Sequence, residues 1–161
     1  MTDVQDRAMS DDPLWGFALG FYARPGMAAA CIALQDEAGC DVTLVLWLLW
    51  CAETGRPLDA GVIAAANARL APWRAAVVAP LRAARRAMKG GLLPGIDTDA
   101  CRERVKGVEL EAERLALAAL SAMAPEASRV EAGAAARNLA LYADHVGRGL
   151  PAAAVRALLG T

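Results

Sequence analysis

Apolar positions in this chain fall into blocks at helical spacing, separated by Gly, Pro and capping residues. The densest block is residues 42–52, VTLVLWLLWCA, where Thr43 is the one polar side chain. A helix needs about 20 apolar residues to cross a bilayer, and this run is too short. Periodicity alone does not separate a buried strand from a buried helix, but the flanks do. Asp41 suits an N-cap, Gly55 suits a site wanting φ > 0, and Pro57 follows as a stop. Trp47 and Trp50, three apart, share a face. A helix that is apolar all round must be covered on most sides. Residues 41–54 therefore read as the central, buried helix. Its default role is core; the alternative is that part of it lines a hydrophobic ligand pocket.

The remaining blocks give helices that would cover it. Asp12-Pro13 opens a helix that Arg24-Pro25-Gly26 ends, and residues 27–38 form a second, stopped by Gly39. Residues 57–71 form another, capped by Asp59. Residues 72–89 follow, with Pro80 predicting a kink or short break. Gly90-Gly91 and Pro94-Gly95 bracket a loop. A long helix runs over 98–123 with an apolar stripe of Val105, Val108, Ala112, Leu115, Ala119 and Met123. Ser128 and Glu131 match a capping box opening a helix to about residue 146, and Pro151 starts a short last one. No stretch alternates with period two, so no sheet is expected. The prediction is all-α: a single-domain bundle of six or seven helices over residues 11–161, with residues 1–10 a flexible N-terminus.

Composition supports this. Of 161 residues, 57 % are hydrophobic but only 5 % aromatic, so the apolar content is aliphatic and Ala-rich, which favours helix. The net charge of −1 gives no global pull toward nucleic acid or an anionic membrane. Four cysteines without a C-x-x-C pair, and one histidine, exclude the usual zinc patterns. Residues 1–12 carry Asp3, Asp6, Asp11 and Asp12 and no apolar run, unlike a signal peptide. A cytoplasmic setting is expected.

The most distinctive charge feature is residues 60–96, which hold Arg69, Arg74, Arg82, Arg85, Arg86 and Lys89 and no acid. At 100° per residue, Trp73, Val77, Leu81, Ala84 and Met88 share a sector, and Arg74, Arg82, Arg85 and Lys89 lie beside and opposite it. Such a face, with Arg86, can hold an acidic partner or a small anion; it can equally be a solvated face that pairs with acids elsewhere. The nearest candidate partner is Glu109, at the edge of the apolar stripe of the next helix. If the two helices pack antiparallel, Glu109 meets Arg82 or Arg85. Asp36 is a second candidate carboxylate. His145, the sole histidine, has no catalytic partner at any recognisable spacing, and no DDxxD-like run indicates a magnesium-diphosphate site. No catalytic residue, metal site or cofactor is expected.

Four segments together, LWGFALGFYARPGM (14–27), CIALQDEAGCDVTLVLWLLW (31–50), APWRAAVVAPLRAARRAMK (71–89) and VKGVELEAERL (105–115), resemble a family of small, mainly proteobacterial proteins described as a domain of unknown function. The likeness covers residues 14–120. An Asn often stands in that pattern where this chain has Thr43. The resemblance implies a bacterial, cytoplasmic, helical protein and no activity; it also implies that Trp73, Arg82, Arg85 and Lys89 belong to the common pattern.

The leading functional expectation is a non-catalytic binding or adaptor protein that uses residues 74–89 to hold an acidic partner or small anion. The alternative is an enzyme or carrier for an apolar, perhaps phosphorylated, molecule, with the central helix as wall, Arg82, Arg85 and Lys89 as anion site, and Glu109 or Asp36 as carboxylate. RNA or ribosome association through the same arginines ranks third.

Overall fold

The computed structural model describes residues 12–161, so the expectation for residues 1–10 lies outside the described residues. The elements are α1 (Pro13–Tyr22), α2 (Met27–Ala38), α3 (Val42–Glu53), α4 (Ala60–Trp73), a π-helical turn (Arg74–Val78), α5 (Ala79–Met88), α6 (Asp99–Met123), α7 (Ala134–Val146) and α8 (Ala152–Leu159). The described residues contain no strand, and the fold is all-α as the sequence predicts. No single helix among them is long and apolar enough to cross a membrane. Contacts within the chain group it into two compact units: residues up to Asn67 with Leu117–Thr161, and Ala68–Ala116.

The first unit is built on α3, where every residue from Thr43 to Ala52 is buried. Asp41 caps it, its Oδ1 accepting from Thr43 N at 2.9 Å and from Thr43 Oγ1 at 2.6 Å. Each bond removes an orphan donor that burial would otherwise leave unpaired. The buried α3 backbone also engages α7: Asn138 Nδ2 donates to Leu48 O at 3.0 Å, and Tyr142 Oη accepts from Asp41 N at 3.1 Å. Helix α1 packs on α2 and α3, and α2 packs on α8. Past α3, Gly55 takes φ +68° and Arg56 lays its guanidinium over the Trp50 ring.

Three sequence expectations change. The capping box does not form. Ser128 instead donates through N and Oγ to Gly55 O, at 2.8 and 3.2 Å, and Glu131 pairs with Arg137. Helix α7 therefore starts later, after Gly133 at φ +76°. A second difference lies at the prolines: α4 runs through Pro72, where a helix boundary is expected, and at Pro80, where a kink or short break is expected, no break forms. The preceding π turn, in which Ala79 N bonds Arg74 O five residues back, is where the backbone accommodates the ring that would crowd a carbonyl four residues earlier. Finally, α6 is rotated about its axis relative to the predicted stripe. Glu109, Ala112, Ala116, Leu117 and Leu120 are buried, while Val108 and Leu115 are exposed.

Candidate functional site

The second unit has a thin interior: its buried residues are Leu70, Val78, Glu109, Ala112 and Ala116, and α5 contributes none. Side-chain bridges hold α5 antiparallel to α6. Trp73 Nε1 donates to Ala112 O at 3.0 Å at one end, and Thr98 Oγ1 donates to Met88 O at 3.3 Å at the other. Between them, Arg82 Nε donates to Glu109 Oε1 at 3.1 Å and Arg82 Nη2 to Glu113 Oε1 at 2.8 Å. Arg85 grips the same carboxylate with both Nε and Nη2, donating to Oε2 and to Oε1. The antiparallel pairing anticipated for Glu109 is present, with both arginines at once. Glu113, four residues on from Glu109 along the same helix and among the acids that the sequence offers as partners, joins the pairing.

These four side chains balance: two guanidinium groups meet two carboxylates. Burial by itself pushes the Glu109 carboxyl up, but hydrogen bonds from Arg85 and Arg82, with their charges, outweigh it and hold it below the usual carboxylate range. Reciprocally, the bond to Glu109 holds the Arg85 guanidinium above its ordinary value. An anion arriving at Arg82 or Arg85 must compete with a carboxylate already held by several charge-assisted bonds.

The other candidate residues lie elsewhere. Arg74 is half-buried in the π turn, while Arg86 and Lys89 are exposed at the end of α5. Asp36 is exposed on α2 and belongs to the first unit. His145 is exposed, its Nε2 2.9 Å from Asn67 Nδ2. Among the described residues no three His, Cys, Asp or Glu side chains cluster so as to hold a metal.

A separate groove of about 400 Å³ lies in the first unit. Phe17, Phe21, Leu49 and Leu158 line it, with Arg24 and Glu53 also on its wall. The central helix thus supplies part of a pocket wall, but none of Arg82, Arg85, Lys89, Glu109 or Asp36 lines it. Arg24 and Glu53 carried no motif that sequence reasoning could use.

No curated protein and no solved structure matches the chain. A family match spans residues 13–120, which takes in helices α1 to α5 and most of α6. By that match the chain belongs to the family described as "Protein of unknown function (DUF2390)".

Proposed function

We propose that this is a non-catalytic binding protein whose second unit presents a basic surface to an acidic partner or small anion. The observation that carries this reading is the segregation of charge. Residues 68–116 hold ten basic and six acidic side chains, four positive charges in a chain whose total is −1. Within that unit, Arg82 and Arg85 act as the frame, and Arg86, exposed on α5, and Lys89, exposed just past its end, act as the contact. A bacterial, cytoplasmic setting fits this reading.

Titration calorimetry with polyglutamate as the probe tests it. The unaltered chain should bind, more weakly as salt rises. Reversing Arg86 and Lys89 to Glu should abolish binding, with helical content by circular dichroism checking that the variant is folded. Reversing Arg82 and Arg85 should instead destabilise the fold, because Glu109 is then buried beside like charge. Unchanged binding by the Arg86, Lys89 double variant would overturn the assignment.

The groove favours a second reading, a carrier for a small, mainly apolar molecule with a polar end. Native mass spectrometry of protein purified from its own host should then show a retained ligand; repeated absence counts against it.

A further inference from the structure

The groove in the first unit is walled by stretches far apart in sequence: α1, the end of α3, the start of α7 and the end of α8. Large apolar side chains make its floor of contact. The Phe17 and Phe21 rings lie 5.6 Å apart between centroids, and Leu49 and Leu158 join them on the wall. The first turn of α7 brings only Ala134, Ala135 and Ala136, whose methyl groups fill little of the space.

Three charged side chains stand on this wall: Arg24, Glu53 and Glu131. Glu131 is neutralised within the chain by Arg137, at 2.9 Å. The other two have no such partner. Arg24 lies over the Phe21 ring, 5.4 Å from its centroid, and makes no ion pair among the described residues. Glu53 makes neither an ion pair nor a hydrogen bond through its side chain among the described residues. It is the last residue of α3, whose last turn holds no basic side chain. The carbonyl end of a helix disfavours an anion, so packing within the chain gives no reason for a carboxylate there.

Resting on the carrier reading of this groove, we infer that its ligand is a short apolar peptide of about two residues, bound as a zwitterion. Its ammonium meets Glu53, its carboxylate meets Arg24, and its side chains lie on Phe17, Phe21, Leu49 and Leu158. Charge decides the class. The wall offers one cation and one anion that balance, and a ligand of a single charge would leave the other group losing water without gaining a partner. A guanidinium matches a carboxylate with two parallel bonds, and a carboxylate accepts from an ammonium. Spacing decides the length. Arg24 and Glu53 form no ion pair with each other, so the charged ends of the ligand stand apart. A single α-amino acid carries both charges on one carbon, whereas two extended residues span roughly 7 Å. A groove of about 400 Å³ is of the size that takes such a molecule.

Titration calorimetry of the full chain with leucyl-leucine, its C-terminal amide and its N-acetyl derivative is the test. The free dipeptide should bind, and each blocked form should bind about tenfold more weakly, because each loses one charge-assisted contact. Arg24→Gln should erase the difference between acid and amide and keep that between amine and N-acetyl. Glu53→Gln should do the reverse. Both side chains are exposed, and helical content by circular dichroism checks that the variants are folded. A merely structural role for either residue would weaken all three peptides alike, and that outcome overturns the assignment. So does equal binding of the three peptides, or no binding of leucyl-leucine at millimolar concentration. Native mass spectrometry separates the two levels. If leucyl-leucine fails but the protein retains an uncharged apolar molecule from its host, the zwitterion falls and the carrier reading stands. If it fails and nothing is retained, both fall.

Discussion

At the scale of single residues, Gly55 shows how a local signal and a long-range contact meet in one place. Its position after an apolar helix and before Pro57 marked it as a C-terminal glycine, and it takes φ +68°. The sequence carried no sign of its second constraint: a Cβ here would stand 2.8 Å from both Arg129 C and Val130 N. The returning chain lies against the glycine and hangs on its carbonyl through Ser128. Gly91 separates the two effects, having φ +68° with nothing within 4 Å of its would-be Cβ. Gly91→Ala should cost about 1 kcal/mol, the left-handed penalty alone. Gly55→Ala adds a backbone clash and should cost roughly 3 kcal/mol or more. Urea unfolding of the two variants checks the contrast, and equal costs would mean that the 128–130 segment gives way easily. Asp41 belongs with the legible residues, since an N-cap is read from one side chain and its two neighbours. Asn138 does not, because its bond to Leu48 O joins residues 90 apart in sequence.

At the scale of elements, α6 is the instructive case. Hydrophobic periodicity put Val108 and Leu115 inward; the fold puts Glu109 inward and leaves those two exposed. Periodicity assigns a carboxylate to solvent because an unpaired buried charge is prohibitive. It cannot register that two arginines arrive from another helix. The same spacing argument did identify Glu109 as their partner, so the pairing was legible while the rotation that follows from it was not. Glu109→Gln should destabilise the protein by about 3 kcal/mol at neutral pH, since it leaves two guanidinium groups without their charge partner. The pH dependence follows in sign. The folded-state carboxyl is held below its ordinary value of 4.5, so below about that pH the unfolded chain takes up the proton first. The contribution of Glu109 is thus complete above that value and is lost as pH falls through the lower, folded-state value. Denaturant midpoints for the unaltered chain and Glu109→Gln should therefore converge on acidification. A gap that stays constant from pH 7 to about 3 would remove the carboxylate's charge from the account.

At the scale of the whole molecule, totals conceal what segments show. A net charge of −1 suggested no attraction to anions, yet the acid-free run 60–96 already pointed to a basic part, and residues 68–116 are four charges positive. The division into two compact units was not legible, because α4 and α6 cross it without a linker or composition break. Cysteine usage tests the first unit as a whole. Cys31, Cys40 and Cys51 are buried there as free thiols, and Cys101, on α6, is exposed. Burial pushes the Cys31 thiol up to about 11 and the Cys51 thiol up to about 12. Burial raises Cys40 as well, with the Asp41 charge adding to it. Only thiolates attack a disulfide reagent, so these three are protected twice, by access and by protonation. Treated with a chromogenic disulfide at mildly alkaline pH, the native protein should release one equivalent quickly, and Cys101→Ser should remove that phase. In denaturant all four cysteines should react. Slow labelling of the remaining three then reports opening of the packing around α3, and Cys51, within that helix, should react last. If Cys51 labels as fast as Cys101 in the folded protein, α3 is not the closed centre that its burial describes.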